Sequence, residues 1–333
     1  MIITRTPLRI SFVGGGTDLP TFYEREPGAV VSTAIAHYVY VFAHPFFSDH
    51  IQLKYARTET VASLDEIQMP VFREALRLYG VHRKIELGIV ADLPKEGGSG
   101  LGGSTAFSVG LLNALSHYTG RPLSNFELAG QACRLELEIL RNPIGKQDQF
   151  ASAMGGLNYI QFNPDGTVMV EPIFLNPRTR ADLRSHLTLF YTGLTRDARG
   201  ILGDQQRRLA TDEENFKAHV RMRDYARELR DLLRRNSIGD LGRLLHENWL
   251  LKKTLASGIS NERIDGWYAK ALSAGAEGGK LLGAGGGGFL LLYCRPERQD
   301  RLRAALGDLR EMPFELDPQG TRLILVESRE ADA

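Results

Sequence analysis

The sequence predicts an α+β protein built from two domains. In the first half, short runs rich in β-branched and aromatic residues alternate with runs of helical spacing, which is typical of a mixed sheet with helices. From about Ile201 to Ala274 the second half is dominated by charged amphipathic helices. The polar stretch Asn176 to Ser185 separates the two patterns. We therefore predict one domain over residues 1–180 and another over residues 181–333.

The elements of the first domain follow from these patterns. Strands are predicted at Leu8 to Val13, Ala29 to Ala34, Tyr38 to His44, Ile51 to Tyr55 and Ile85 to Val90, and helices at Ile67 to Tyr79, Thr105 to Tyr118 and Phe126 to Leu140. The proline and glycine of Asn163 to Gly166 favour a turn. The flanking runs, Leu157 to Phe162 and Val168 to Ile173, are therefore predicted to form a hairpin that closes the domain.

The second domain is predicted to begin with a strand at Leu187 to Thr192. Apolar residues then recur every three or four positions and predict one buried stripe on a solvated helix: Phe216, Val220, Ala226, Leu229 and Leu233. The remaining elements are predicted as a strand Phe289 to Tyr293, a helix Glu297 to Leu309 and a strand Arg322 to Val326.

The composition argues against several classes of function. Lysine and arginine number 41 and aspartate and glutamate 40, so the charge balance gives no general attraction to nucleic acid or anionic membranes. No signal-peptide pattern opens the sequence, and no apolar stretch reaches membrane-spanning length. Cys133 and Cys294 lie in apolar or helical patterns and are predicted to be buried free thiols. We expect a cytoplasmic protein.

Three glycine-rich segments are candidate ligand loops: Val13 to Asp18, Gly97 to Thr105 and Gly283 to Gly288. Glycine permits positive φ and lets a ligand approach backbone amides, although a tight turn explains a single cluster equally well. The middle segment lies between a predicted strand and a predicted helix, where free amides and the helix dipole favour an anion. We therefore predict that it binds phosphate.

The middle segment differs from two common nucleotide-binding loops. It matches G-x-G-x-x-G through Gly98, Gly100 and Gly103, but the residues about twenty positions after Gly98, His117 to Arg121, include none of the acidic type that holds a dinucleotide's ribose. No lysine precedes Ser104, as a Walker-type loop requires. A dehydrogenase is therefore the weaker interpretation, and ATP would be bound by a different kind of loop.

Four segments in order resemble the GHMP kinase superfamily, named for galacto-, homoserine, mevalonate and phosphomevalonate kinases: Pro7 to Asp18, Gly100 to Ala106, Gly145 to Gln149 and Lys280 to Phe289. Within it, Arg9 to Phe12, Gly145 to Gln149 and Tyr191 to Arg196 are most similar to bacterial D-glycero-D-manno-heptose 7-phosphate kinases. This resemblance implies an ATP-dependent kinase that phosphorylates the anomeric hydroxyl of that sugar phosphate to give the 1,7-bisphosphate.

The resemblance also implies the architecture and the cofactors. An N-terminal domain with a left-handed βαβ unit and a C-terminal ferredoxin-like domain would bind ATP, Mg²⁺ and sugar in the cleft between them. The ATP phosphates would be wrapped by Gly98, Ser99, Gly100, Leu101, Gly102, Gly103, Ser104 and Thr105. Ser104 and Glu136 would hold the magnesium ion, with Glu138 as a rival to Glu136 and a solvated helix face as the alternative for both carboxylates.

Two catalytic residues are implied by the same resemblance. Asp148 would take the proton of the acceptor hydroxyl or orient that hydroxyl, and Arg9 would stabilise the transferring charge and keep Asp148 ionised. A turn residue and a strand-edge salt bridge remain the plainer interpretations of the two positions.

On the acceptor side, the resemblance implies that Asp18 accepts two sugar hydroxyls, with Thr17 and Gly16 beside it. Many relatives carry Glu-His where this chain has Gly15-Gly16, so a side-chain contact made there must come from the backbone or from another element. A cation is needed for the phosphate of the acceptor, and the candidates are Arg196, Arg199, Lys146 and Lys84. Arg196 is preferred, because it follows the glycine turn after the first strand of the second domain.

Other interpretations stay open. The acceptor could be another sugar or a higher-carbon sugar phosphate, such as a fucose-like sugar or an octose. The superfamily also contains sensors that bind sugar and nucleotide without turnover, although retained Asp148 argues against that class here. The expected partners are ATP and a sugar phosphate, with neither nucleic acid nor membrane, and both a monomer and a homodimer fit the sequence.

Overall fold

The computed structural model describes residues 1–92, 98–194 and 198–327 of the chain. The strands are β1 (Ile2–Val13), β2 (Gly28–Pro45), β3 (Ile51–Lys54), β4 (Thr58–Val61), β5 (Ile85–Ala91), β6 (Leu157–Phe162), β7 (Val168–Pro172), β8 (Leu187–Tyr191), β9 (Ala276–Leu281), β10 (Phe289–Cys294), β11 (Arg310–Glu311) and β12 (Arg322–Val326). The α-helices are α1 (Pro20–Tyr23), α2 (Pro70–Tyr79), α3 (Gly103–Tyr118), α4 (Asn125–Cys133), α5 (Gln147–Met154), α6 (Pro177–His186), α7 (Ala198–Thr211), α8 (Glu213–Arg234), α9 (Leu241–Thr254), α10 (Glu262–Ala274) and α11 (Gln299–Ala305). None of the helices in these ranges is long and apolar enough to cross a membrane.

The larger sheet is built mainly from the first half of the chain. Its strand order is β12-β1-β2-β5-β3-β4, and the β6-β7 hairpin extends from β2. β3 and β5 are parallel and are connected through β4 and α2, which makes a crossover unit. The left-handedness predicted for this unit stays a prediction. Helix α3 packs against β1 and β2, and its apolar residues are almost all buried in the core between sheet and helices.

One expectation for this region was wrong, and one element was not predicted. The predicted strands at Ala29 to Ala34 and Tyr38 to His44 form one strand, β2, because a bulge opposite Pro7 and Leu8 takes up the intervening residues without breaking the ladder. The polar stretch from Asn176 to Ser185, for which no element was predicted, forms α6. Its start is set by Pro177 at the first helical position and by the Asn176 side chain, which accepts a hydrogen bond from the Thr179 amide.

The second sheet has the strand order β11-β8-β10-β9. Along the chain β8 is followed by helices α7 to α10, then β9, β10, α11 and β11, which is the β-α-β-β-α-β succession of a ferredoxin-like fold. This confirms the predicted architecture of the C-terminal half. The predicted stripe on α8 is also confirmed: Val220 is partly buried and packs against an apolar cluster, and the other four residues are buried, namely Phe216, Ala226, Leu229 and Leu233.

The last strand returns to the first sheet. β12 pairs with β1, and just before it Thr321 Oγ1 lies 2.7 Å from Thr6 Oγ1 and accepts a hydrogen bond from Asn113 Nδ2 at 3.0 Å. Strand β1, helix α3 and the C-terminal tail thus share one buried polar cluster. The domain division between residues 180 and 181 stays a prediction, with the strand at Arg322 to Val326 lying in the first sheet.

Replacement of Thr321 by valine tests this cluster. We expect Thr321→Val to lower the free energy of unfolding by about 1–3 kcal/mol, because the buried Asn113 amide loses its acceptor while the shape of the side chain is kept. Thr321→Ser keeps the hydroxyl and serves as the matched control. Urea unfolding followed by circular dichroism measures the difference, and equal stability of the two variants would contradict the assignment.

Candidate active site

A cavity of about 920 Å³ lies where the three glycine-rich segments meet helices α3, α5, α7 and α9. Most of the predicted site residues line it: Arg9, Gly16, Asp18, Gly98, Ser99, Gly100, Gly102, Gly103, Ser104, Thr105, Glu136 and Asp148. Two others, Leu101 and Thr17, are fully buried behind the wall, and Arg196 lies outside the described residues. The volume is of the size that holds small-molecule ligands.

The glycine loop after β5 presents the amino end of α3 to the cavity. Gly102 is left-handed at φ 76°, and its position before α3 offers no side chain to cap the helix. The amides of the first turn, which have no partner within a helix, therefore also lack a capping side chain. Such an end attracts anions. The loop is supported from behind: a Cβ on Gly100 would lie 2.4 Å from Leu282 O, and the Phe289 amide donates to Ser99 O at 3.1 Å.

Arg9 connects this loop to Asp148. From β1 its guanidinium donates from Nε to Asp148 Oδ1 at 2.7 Å and from Nη2 to Oδ2 at 2.6 Å, a bidentate ion pair. Nη1 donates to Gly100 O at 2.6 Å, and the Arg9 amide donates to Leu101 O. Leu101 therefore contributes to the loop through its carbonyl, while its side chain belongs to the core.

Asp18 is held by the segment that carries Asp148. Its Oδ1 accepts from the Gly16 amide at 2.9 Å and from Gln147 Nε2 at 3.0 Å, and Oδ2 accepts from the Gln147 amide at 3.1 Å. A Cβ on Gly145 would lie 1.9 Å from Asp18 Oδ2, so only glycine fits there. Burial, and secondly the charge of Asp148, raise the pKa of Asp18 above its ordinary value.

Thr17 faces away from the cavity. Its hydroxyl donates to Gly14 O or Ala29 O and accepts from the Ala29 amide, and the side chain is fully buried. The position predicted to contact substrate thus closes the loop that presents Asp18 and Gly16.

Glu136 lines the cavity, whereas Glu138 is exposed and does not. Glu136 lies in Arg134–Ile139, a π-helical continuation of α4. Turns of this type are often found at functional sites. The carboxylate accepts from Ser108 Oγ at 2.8 Å, Gln149 Nε2 at 2.6 Å and Thr105 Oγ1 at 3.3 Å. Burial raises the pKa of Glu136, and these hydrogen bonds oppose the rise.

Two buried lysines, to which the sequence reasoning gave no role in the site, line the same cavity. Lys280 Nζ donates to Phe12 O at 3.0 Å, and Lys252 Nζ donates to Gly283 O in the third glycine loop. Burial and then the positive charges of Lys252 and Arg9 hold the pKa of Lys280 well below its usual value. Lys280 is the first residue of the motif Lys280 to Phe289, which was a visible signal, whereas Lys252, next to Lys253 in a charged helix, gave none.

The candidate phosphate clamps lie in different places. Arg199, at the start of α7, lines the cavity. Lys146 instead donates from Nζ to Gly166 O at 2.8 Å and lies over the Tyr23 ring. Lys84 pairs with Asp49 on the surface, 3.2 Å apart, and does not line the cavity. Of the candidates in the described residues, Arg199 is therefore the one at the cavity.

Comparison with known proteins decides the family. The sequence matches the GHMP kinases N terminal domain over residues 67–156 and the GHMP kinases C terminal domain over residues 229–309, together just over half of the chain. The chain belongs to the GHMP kinases. It is an ATP-dependent phosphotransferase with an alcohol group as acceptor, a sugar kinase.

Individual proteins that are similar to this chain support its membership of the GHMP kinases. The chain is 29% identical to the D-glycero-alpha-D-manno-heptose 7-phosphate kinase of Campylobacter jejuni over 92% of its length and 93% of that protein's. It is 27% identical over 91% of its length to the L-fucokinase/L-fucose-1-P guanylyltransferase of Bacteroides fragilis, of which it spans only 35%. A crystal structure of a D-glycero-D-manno-heptose 1-phosphate kinase from Bacteroides thetaiotaomicron superposes with a TM-score of 0.79 at 24% identity, covering 98% of this chain and 100% of that one, which shows the same fold.

The raised pKa of Asp18 predicts a pH-dependent contribution to stability. The pKa of this carboxyl is higher in the folded state than in the unfolded state, where it is about 3.9. Its contribution to the free energy of unfolding is therefore fully present below about pH 3.9 and is lost as the pH rises through the pKa of the folded state. Relative to Asp18→Asn, which does not titrate, we expect the wild type to gain stability as pH falls from 8 to 4. Urea unfolding of both proteins across this range measures the difference, and parallel pH profiles would sink the prediction.

Proposed function

We propose that this GHMP kinase transfers the γ-phosphoryl group of Mg-ATP to the anomeric hydroxyl of D-glycero-D-manno-heptose 7-phosphate and forms the 1,7-bisphosphate. The observation that carries the proposal is the connection of Asp148 to Arg9 and, through Gln147, to Asp18, beside the uncapped end of α3. The likeness to the Campylobacter jejuni kinase over nearly the full length of both chains supports the choice of acceptor.

The donor phosphates bind at the amino end of α3 in this proposal. Backbone amides of Gly103 and Ser104 donate to the phosphate oxygens, and the charge of Arg9 with that of Lys252 and Lys280 offsets the phosphate charge. The cavity lining includes four apolar or aromatic side chains that are available to the purine base: Val39, Tyr55, Ile89 and Val90.

The donor groups near α3 fit a magnesium ion. Three hydrogen bonds reach the Glu136 carboxylate, which leaves one of its roughly four lone-pair sites for a cation. The exposed Ser104, the second residue of α3, lines the same cavity. Mg²⁺ is commonly held by one or two carboxylates together with water and substrate phosphates, so we propose Glu136 and Ser104 as its protein ligands. Bound there, the ion would neutralise charge on the phosphate oxygens.

The acceptor sugar lies between Asp18 and Asp148 in this proposal. Three hydrogen bonds already reach the Asp18 carboxylate, so it accepts one hydroxyl of the sugar. Asp148 accepts the proton of the attacking anomeric hydroxyl, and Arg9 keeps Asp148 in a fixed orientation. Arg199, and Arg196 outside the described residues, are proposed to bind the 7-phosphate. We further propose a cytoplasmic location.

L-Fucose is a second candidate acceptor, because the chain is also 27% identical, over 91% of its own length, to the L-fucokinase/L-fucose-1-P guanylyltransferase of Bacteroides fragilis, of which it spans 35%. Fucose carries no phosphate, so this reaction would leave Arg199 without a partner on the acceptor.

Measurement of ADP release with Mg-ATP tests the reaction and its base. The acceptor panel contains D-glycero-D-manno-heptose 7-phosphate, unphosphorylated heptose, L-fucose, galactose and mevalonate. We expect turnover of heptose 7-phosphate, and a loss of about 10²–10⁴-fold in kcat for Asp148→Asn, because the proton acceptor is removed. ATP affinity should stay near that of the wild type.

The pattern of turnover separates the alternatives. Preferred turnover of L-fucose would replace heptose 7-phosphate as the acceptor. ATP binding without turnover of any acceptor would favour the sensor class, and full activity of Asp148→Asn would exclude Asp148 as the base.

A pair of glutamate variants tests the magnesium site. We expect Glu136→Gln to raise the Mg²⁺ concentration that gives half-maximal activity by roughly 10–100-fold, the loss typical when groups that order a metal are removed. Glu138→Gln, on the same π-helical segment but exposed, serves as the control and is expected to behave as wild type. Equal Mg²⁺ dependence of the two variants would contradict the role of Glu136.

A further inference from the structure

The space beside Gly16 is filled from another part of the chain. A Cβ added at Gly16 would lie 2.6 Å from Gln205 Nε2 and 3.1 Å from His219 Nε2. Gln205 belongs to α7 and His219 to α8, so both follow the first strand of the second sheet. The Gln205 amide thus occupies the place that a side chain at position 16 would take, next to the loop that presents Asp18.

His219 has one possible tautomer in this setting. Its Nδ1 lies 2.8 Å from Asn215 O, and because a carbonyl oxygen only accepts hydrogen bonds, Nδ1 must carry the proton. Burial lowers the pKa of His219 to about 4, so the ring is neutral near pH 7. His219 Nε2 therefore offers a lone pair.

That lone pair sets the orientation of Gln205. Gln205 Nε2 lies 3.0 Å from His219 Nε2 and can only donate to it, which assigns the amino group to the histidine side. Gln205 is buried and lines the cavity. Within the described residues no hydrogen bond reaches its Oε1, so the amide oxygen is the group available to a ligand.

The histidine is held rigidly. Its ring lies 6.0 Å, centroid to centroid, from the ring of Phe22. Phe22 belongs to an apolar cluster with Leu19, Leu209 and Phe216. A group fixed before the ligand arrives loses little side-chain entropy on binding. The Gln205 oxygen is therefore a pre-oriented hydrogen-bond acceptor.

We propose that Gln205 determines acceptor specificity by accepting a hydrogen bond from a sugar hydroxyl adjacent to the one bound by Asp18, with His219 as the residue that positions it. The inference rests on the proposed sugar kinase function and deepens it. An acceptor-only oxygen attracts a hydroxyl and repels phosphate or carboxylate, so this end of the site selects the neutral polyol part of the sugar.

Kinetics of two leucine variants provide the first test. We expect Gln205→Leu to lower kcat/KM for heptose 7-phosphate by about tenfold, the loss of one hydrogen bond, with KM for ATP unchanged. Gln206→Leu, the neighbouring glutamine on α7, is the matched control and is expected to stay within about twofold of the wild type. Thermal unfolding of both variants shows whether they fold.

Acceptors that lack single hydroxyls separate a contact from a structural role. For one mono-deoxy heptose 7-phosphate, we expect the kcat/KM of the wild type to be about tenfold lower than for the parent sugar. Gln205→Leu is expected to show the same kcat/KM for that deoxy sugar and for the parent sugar. His219→Met, which removes the accepting nitrogen, is expected to erase the same preference. Equal penalties for every deoxy sugar in wild type and Gln205→Leu would overturn the inference.

Failure of the proposed acceptor gives a different result. If the wild type phosphorylates L-fucose but not heptose 7-phosphate, the acceptor proposal fails and the same cycle with mono-deoxy L-fucoses decides the role of Gln205. If calorimetry detects no binding of either sugar to the wild type, both proposals are overturned.

Discussion

The bidentate ion pair between Arg9 and Asp148 is the interaction on which the rest of the cavity depends. All three donor nitrogens of the Arg9 side chain are used, two by the carboxylate and one by Gly100 O, so one buried guanidinium fixes both helix α5 and the glycine loop. The residues beside Asp148 extend this order, because Gln147 holds Asp18 and Gln149 holds Glu136. The side chains of Arg9, Asp18 and Glu136 come from distant parts of the sequence and are all connected by hydrogen bonds to helix α5, which carries Asp148. Such connections keep the reacting groups of a site in alignment.

The cavity concentrates charge at a cost to the fold. Asp18 and Glu136 have raised pKa values and Lys280 a lowered one, each mainly because burial disfavours the charged form. Like charges add to this, from Asp148 on the two carboxylates and from Lys252 and Arg9 on Lys280. A polyanionic ligand with its cation would relieve both kinds of repulsion. In the protein without ligand, the buried charges therefore have an unfavourable electrostatic energy, which ligand binding removes.

Much of the fold could be predicted from the sequence, because periodicity and turn residues are local signals. The α6 helix was missed although Asn176 and Pro177 mark its start, since its polar composition hid the pattern. For the site, Arg9, Asp18 and Asp148 could be predicted from contiguous motifs, whereas the orientation of Thr17 could not, since adjacent residues in a turn face opposite ways. Gln205 and Lys252 meet the cavity only through the packing of α7 and α9, which leaves no short-range trace in the sequence.

Strand β12 has a consequence for how the protein is made. It covers the outer side of β1, and Thr6 meets Thr321 across a separation of 315 residues. During synthesis at about 5–20 residues per second, β1 would wait roughly 15–60 s for this neighbour. Until then the strand that bears Arg9 is an open sheet edge, the kind of surface that pairs with other chains and aggregates. Over that interval the nascent chain exposes an edge that β12 covers in the folded protein.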